Sequence, residues 1–512
     1  MPKSDANAQE RLSPGEERFE LWRRRAGLIL GPLAALAVYL FASGLPAAEQ
    51  RLAAILTLVI VFWITEAIPI PATALLGPAL AVVAGVADAA TVFRPFAAPV
   101  IFLFLGSFLI ARAMRVNGLD RRVALAVLGG RWVAASPARI RLGVGLTAFV
   151  LSMWISNTAT VAMLFPILLG VSATLERLFA AEGPAFERAG RSYLTGLMLM
   201  TAYAASIGGL ATPVGTPPNL IGLGMLRDLA GVRIPFFQWM LLGVPVAVAL
   251  FVVLAIVLRF LHPAPARRLA GLAGAVDVLR KDLVPWGRAQ NYTLVAFLTA
   301  VILWVLPGAV ALARGTDDPL YLLLSERLDE GVVAMLAAAL LFLLPVSLKP
   351  PQGALGWREA VKIDWGTILL FGGGLSLGTL LQSTGLAERM ARGLLHEVGE
   401  PSLWLLVGVA IAFTTLFTET ASNTASATML VPVTIAVATA AGVSVVPPAL
   451  GVTLAASLAF MLPVSTPPNA IVYGSGRVSI LAMVRAGLLL DVFGFVVLLA
   501  LLRVLCPLLG LA

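Results

Sequence analysis

The amino-acid sequence predicts an all-α polytopic membrane protein built from two related halves, and three observations carry that reading. Hydrophobic residues make up 59% of the 512-residue chain and charged residues 12%, with a mean hydropathy of +0.95, well outside the range of a soluble domain. The apolar runs reach the roughly 20 residues that a helix needs to cross a hydrocarbon core, which excludes a β-barrel by length. Finally, the stretch FVLSMWISNTATVAMLFPI from Phe149 to Ile167 returns as TTLFTETASNTASATMLVPV from Thr414 to Val433. Adding 266 carries Ser156-Asn157-Thr158 onto Ser422-Asn423-Thr424, and Met163, Leu164 and Pro166 onto Met429, Leu430 and Pro432.

Residues 1–25 read as a polar N-terminal arm ending in Arg23-Arg24-Arg25. No small-residue cleavage site follows, so the first span reads as a retained helix rather than a cleaved signal. Spans fall near 26–43, 51–68, 70–88 and 98–114. The run 142–175 holds the first Ser-Asn-Thr, 193–226 holds a Thr-Pro-Pro-Asn break at Thr216-Pro217-Pro218-Asn219, and 237–261 closes the first half. A basic cytoplasmic connecting loop, 262–290, separates it from the second half, 291–512. That half repeats the plan at 292–313, 331–347, 365–385, 403–440, 448–475 and 480–510, with its break at Thr466-Pro467-Pro468-Asn469. The stretch 175–192 reads as a loop that lengthens the motif-to-proline spacing of the first copy.

Lysine and arginine placement orients these spans. With a cytoplasmic N-terminus and each Ser-Asn-Thr run read as a re-entrant hairpin, the basic segments 111–141, 262–290 and 348–364 face the cytoplasm. The acid-rich 314–330 faces outward. A hairpin and a full helix pair both return to their starting side, so charge alone leaves re-entrance open. Seven spans or hairpins then precede the central loop and six follow it. The two motif hairpins enter from opposite sides, which makes an inverted repeat. The net charge of +9 lies in short loops and reports topology rather than nucleic-acid binding. One cysteine, Cys506, allows no disulfide within the chain. His262 and His396 both read as loop residues, so no zinc or haem constellation forms.

A Ser-Asn-Thr at bilayer depth offers two hydroxyls and an amide, plus carbonyls freed where the backbone turns. One isolated copy is better explained as helix-packing polarity, and one Pro-Pro as a kink. Duplication at matching positions favours a binding role. The four runs that carry the motifs contain no lysine or arginine, and their only acid is Glu419. An anion held among them meets no fixed cationic side chain, and a bare buried charge costs tens of kcal/mol in the idealised limit. Helix N-termini, backbone N–H groups and mobile alkali cations must compensate it; a neutral solute is compatible with the same composition. Glu66 and Glu419 read as braces at helix ends, with proton sites as the alternative. Gly372-Gly373-Gly374 lacks the following Lys-Ser/Thr of a phosphate loop and reads as a close helix contact.

The paired Ser-Asn-Thr motifs, WITEAIPIPATALL, LLFGGGLSLGTLLQSTGLA and both Thr-Pro-Pro-Asn breaks occur together in order. In this the chain resembles the divalent anion/sodium symporter family of di- and tricarboxylate transporters, from about Arg51 to the C-terminus. The resemblance implies about eleven transmembrane helices plus two re-entrant hairpins, a homodimer, and an elevator-type motion of a transport domain against a scaffold. It further implies that Ser156, Asn157, Thr158, Ser422, Asn423 and Thr424 contact substrate carboxylates, with Thr216, Pro217, Thr466 and Pro467. One sodium ion is expected at Ser152, Ser156, Asn157 and Gly215, the other at Thr418, Ala421, Asn423 and Ser465. The expected function is sodium-coupled transport of a C4 dicarboxylate such as succinate, malate or fumarate across a bacterial inner membrane. A sodium-independent exchanger, or a sulfate or citrate carrier on the same scaffold, is the alternative. A membrane-embedded hydrolase is disfavoured, since neither histidine lies in the motif runs; a channel would lack saturable exchange.

Overall fold

The computed structural model describes residues 14–128, 130, 132–265, 286–349, 351–398 and 401–511. Most of residues 1–25 before the helix start at Pro14, and the centre of the connecting loop with its Arg267, Arg268, Arg280 and Lys281, lie outside these described residues. In chain order the first half comprises α1 (Pro14–Phe41), α2 (Ala47–Thr65), α3 (Ile70–Val83), α4 (Ala89–Phe93), α5 (Pro99–Val116), α6 (Leu119–Leu128), α7 (Pro137–Ser152), α8 (Asn157–Ala181), α9 (Pro184–Gly208), α10 (Pro217–Ala230) and α11 (Phe236–Leu261). The second comprises α12 (Arg288–Arg314), α13 (Pro319–Arg327), α14 (Glu330–Leu343), α15 (Trp357–Ala360), α16 (Trp365–Ser383), α17 (Leu386–Val398), α18 (Leu403–Thr418), α19 (Asn423–Ala440), α20 (Val446–Ala455), α21 (Pro467–Tyr473) and α22 (Ile480–Leu508).

Among the described residues ten helices are long and apolar enough to cross a membrane, and α3, α14, α18 and α20 are shorter apolar helices. Each of the thirteen apolar runs read from the sequence is occupied by helix. Helix starts follow local chemistry: Ser136, Ser402 and Ser479 accept the backbone N–H of Arg139, Leu405 and Ala482 at the heads of α7, α18 and α22. Apolar side chains exposed at helical spacing, such as Val295, Leu298, Ile302 and Leu306 on α12, form the stripe that suits acyl chains as solvent.

Two local expectations are corrected, and one element is added. The stretch 175–192 is not a loop: α8 runs on to Ala181 and α9 starts at Pro184, with only Glu182 and Gly183 between them. Gly183 makes so tight a link possible by taking φ 109°, a backbone region that side chains avoid. The extra residues therefore lengthen two helices. His396 lies on α17 rather than in a loop. A two-stranded ribbon, β1 (Pro345–Leu348) with β2 (Pro351–Gly353), closes the basic segment after α14.

Each Ser-Asn-Thr sits at the tip of a helix pair, α7/α8 and α18/α19, and each Thr-Pro-Pro-Asn at the break of an interrupted helix, α9/α10 and α20/α21. The halves interlock. Helix α10 packs on α19 and α20, while α21 packs on α8 and α9, so each broken helix crosses the other half's hairpin. Glycines set the closest approaches. A Cβ at Gly373 would lie 2.1 Å from the Ala74 carbonyl oxygen on α3, and one at Gly374 1.9 Å from Thr428 Cγ2 on α19. This is helix contact, with no phosphate chemistry involved.

The hairpin arm α7 meets α9 in the same way: a Cβ at Gly208 would fall 2.2 Å from the Phe149 carbonyl oxygen and 2.7 Å from its Cα. Backbone cannot yield as a flexible side chain does. Gly208→Ala is expected to destabilise the protein by roughly 1–3 kcal/mol, read as a lowered midpoint of thermal unfolding in detergent. An unchanged midpoint would show that α7 and α9 separate without cost.

Candidate functional site

The two hairpin tips share one side-chain bond at matching positions. Ser152 Oγ donates to Asn157 Oδ1 at 2.6 Å, and Thr418 Oγ1 donates to Asn423 Oδ1 at 2.9 Å. These are the residues related by 266 in sequence. Both asparagines start a helix, α8 or α19, with Ser156 or Ser422 as the capping residue before it. Fixing Oδ1 turns each amide Nδ2 outward. The first N–H groups of a helix have no intrahelical partner, so each tip presents donors and the positive end of a dipole.

The breaks repeat as well, with an offset of 250 once the longer first copy is passed. Asn219 Nδ2 donates to the carbonyls of Gly209 (2.9 Å) and Thr212 (2.8 Å); Asn469 Nδ2 donates to those of Ala459 and Leu462, both at 3.1 Å. Both side chains are fully buried. Each break is thus a turn tied across its own gap by one asparagine. Prolines at the first two positions of α10 and α21 supply no N–H and hold the helical φ at the restart.

Oxygen atoms crowd two places where tip meets break. A Cβ at Gly215 would lie 2.5 Å from the Gly209 carbonyl oxygen and 2.9 Å from that of Ser152, while one at Gly209 would lie 2.5 Å from Asn157 Oδ1. Carbonyl, hydroxyl and amide oxygens of Ser152, Asn157 and Gly209 therefore converge around a position that only glycine fits. In the second copy Thr418 Oγ1 bonds the Ala456 carbonyl at 2.9 Å, and Ser465 Oγ the Glu419 carbonyl at 2.9 Å. Hard, uncharged oxygen ligands of this kind suit an alkali cation.

All four segments open on one cavity of 1230 Å³. All ten residues expected to contact substrate line it, and so do Ala421 and Ser465. Ser152 and Thr418 are fully buried and Gly215 buried, behind that wall. The motif segments contribute no cation, but another stretch of the cavity does. Arg23 and Arg24 from α1, Arg112 and Arg115 from α5, and Lys362 after α15 line it too. Arg23 and Arg24 lie 3.4 and 3.7 Å from the Glu66 carboxylate, which ends α2 in a left-handed conformation with φ 48°. That pairing with α1 is the bracing role expected of Glu66.

Glu419 is a brace of a different kind. Its carboxylate accepts the backbone N–H groups of Phe460 (2.7 Å), Met461 (2.8 Å) and Leu462 (3.2 Å), with Ser465 Oγ at 2.5 Å. It pins the second break to the second tip. Its counterpart in the first copy is Met153, whose carbonyl accepts the Thr212 hydroxyl, so that half has no acid to match. Sequence reading missed the neighbour of Glu419, Asp491 on α22, which is 6% exposed and whose carboxyl oxygens face Glu419 without meeting an N–H or hydroxyl donor among the described residues. An aspartate inside a 29-residue apolar helix was the available signal.

Comparison with known proteins agrees with this architecture. A family model described as "Sodium:sulfate symporter transmembrane region" matches residues 23–511. Sodium-dependent dicarboxylate transporter SdcS of Staphylococcus saprophyticus is 34% identical over 94% of this chain and 91% of its own length. The protein of the same name from Staphylococcus aureus strain USA300 is 33% identical over 90% of this chain and 87% of its own. The crystal structure of the Alcanivorax borkumensis YdaH transporter is similar in fold, with TM-score 0.51 and 15% identity, covering 80% of this chain and 85% of that one. With its helices in this order, its paired motifs on one cavity and a family match across nearly its whole length, the chain belongs to the divalent anion/sodium symporter family.

Proposed function

We propose that the protein carries C4 dicarboxylates of the succinate, malate and fumarate type across a bacterial inner membrane together with sodium ions. The observation that carries this reading is the convergence of four polar, uncharged segments on one cavity, in a chain whose relatives are named sodium-dependent dicarboxylate transporters. A dianion there is stabilised in three ways. Asn157 and Asn423 offer amide donors, Ser156, Thr158, Ser422, Thr424, Thr216 and Thr466 offer hydroxyls, and the helices starting at Asn157 and Asn423 offer their positive ends. Pro217 and Pro467 shape the walls.

Two sodium ions complete the charge balance. One is assigned to Ser152, Ser156, Asn157 and Gly215, the other to Thr418, Ala421, Asn423 and Ser465. Each set includes the asparagine that also faces substrate, so cation and anion sites share a side chain and stabilise one another. If more than two sodium ions accompany each dianion, uptake moves positive charge inward and gains about 2.3 kcal/mol per charge per 100 mV. Translocation is assigned to an elevator motion of the interlocked hairpins and broken helices, within a homodimer. The cavity wall at Arg112, Arg115 and Lys362 belongs to segments whose charge assigns them to the cytoplasm, so this arrangement is read as inward-facing. Sulfate, named in the family description, is the competing cargo.

Radiolabelled succinate uptake into proteoliposomes under an inward sodium gradient tests the function. The expected outcome is uptake that collapses when choline replaces sodium and is inhibited by malate and fumarate more than by sulfate; sodium-indifferent uptake would remove the coupling. At the site, Asn157→Ala and Asn423→Ala are each expected to lower uptake to background while leaving gel-filtration behaviour unaltered. Near-normal uptake by either variant contradicts the assigned contacts.

A further inference from the structure

The cavity extends well beyond the four uncharged segments, and its far wall is cationic. Helix α5 presents one face to it, Phe108, Ala111, Arg112 and Arg115, at the three- and four-residue spacing of neighbours on a helix. Four of the five cations on this wall are already engaged, sharing two carboxylates between them. Arg23 and Arg24 pair with Glu66. Arg112 pairs with Glu359, and Lys362 reaches the same carboxylate at 2.5 Å. Hydrogen bonds from Lys362 and Arg112 hold the Glu359 carboxyl below the usual carboxylate range.

Arg115 is different. Among the described residues its guanidinium makes no hydrogen bond and no ion pair; the charged groups that act on it are Arg112, which repels it, and Asp120. The Asp120 carboxylate accepts the backbone N–H of Arg121 at 2.7 Å instead. A guanidinium is permanently charged and carries donors in a planar fork that matches a carboxylate. One left unpaired on the wall of a cavity through which a dicarboxylate passes is a binding group without its anion. The inner segments, by contrast, hold an anion only with the help of mobile cations, so an anion losing those cations is drawn toward fixed positive charge.

We propose that Arg115 is an outer carboxylate-binding residue on the cytoplasmic stretch of the cavity, which engages the dicarboxylate as it leaves, or before it reaches, the inner site. This assignment rests on the dicarboxylate-transport reading and on the cytoplasmic placement of the α5 C-terminus. Its consequence is sided. The residue contributes to affinity measured from the cytoplasmic face and not to affinity measured from the external face, where the cavity wall at α5 plays no part in capture. Because the station is open to water, its contribution is screened by salt.

The test is the ratio of cytoplasmic to external KM for succinate, measured with the full-length protein in inside-out and right-side-out vesicles. With Arg115→Gln the ratio is expected to rise about fivefold at low ionic strength, the loss of one charge-assisted contact at an exposed site. Arg115→Lys keeps the charge without the fork and is expected to fall between the two, with the differences shrinking in 0.5 M choline chloride. Arg115→Met, which keeps the side chain's length, replaces the glutamine variant if that fails to fold, with the same ratio expected. A ratio equal to wild type in Arg115→Gln, including the case in which both KM values rise together, overturns the assignment while leaving the transport reading intact. Wild-type protein that carries no succinate under any sodium gradient overturns both.

Discussion

Everything in this structure answers to one electrostatic constraint: a doubly charged anion must be held inside an apolar slab by segments that contain no lysine or arginine. A fixed buried cation would solve the binding problem and create another, since it would be left desolvated and uncompensated whenever the site is empty. Dipoles and hydroxyls avoid that. They stay neutral in both directions, and the charge is supplied by ions that come and go with the cargo. The tight approaches at Gly209 and Gly215 crowd carbonyl and amide oxygens at 2.5–2.9 Å from an added Cβ, a concentration of neutral oxygen that supports the proposed cation site.

Duplication explains why the arrangement is so regular. The bond from Ser152 to Asn157 recurs from Thr418 to Asn423, and the asparagine ties across the two breaks recur with carbonyl partners at matching positions. Asn219 and Asn469 each give both amide N–H groups to carbonyls of their own break, and among the described residues the Oδ1 of each is buried without a partner, so the two copies match in this as well. The departures are local to the second copy. Ser465 stands where the first copy has Gly215, and Glu419 where it has Met153, and the two bond to each other at 2.5 Å. One break is therefore held to its tip by a carboxyl group that gathers three backbone N–H groups and a hydroxyl, the other by the Thr212 hydroxyl on the Met153 carbonyl, an asymmetry in how firmly the two cradles are tied.

Much of this was legible in the sequence because the relevant signals are local or repeated. A membrane span announces itself by length and hydropathy, and the thirteen apolar runs matched helices. The candidate site residues stood out because they occur twice. Three features escaped for a common reason. Asp491 has no counterpart in the other half and sits within a continuous apolar helix; what makes it unusual, its closeness to Glu419 in the second hairpin tip, is tertiary. The cationic wall combines α1, α5 and Lys362, segments far apart in sequence that read individually as topology signals. The stretch 175–192, polar enough to pass for a loop, is helix because its neighbours extend α8 and α9 past the apolar region, where composition no longer tells helix from coil.

The central claim is that the cradle accepts a dianion only when alkali cations share its oxygen ligands. The most direct measurement is calorimetric binding of succinate to the purified protein as sodium is titrated against choline at constant ionic strength. Linkage through Asn157 and Asn423 predicts that succinate affinity falls at least about tenfold when sodium is removed and that succinate tightens sodium by the same factor. Succinate affinity that is the same in sodium and in choline would contradict the account.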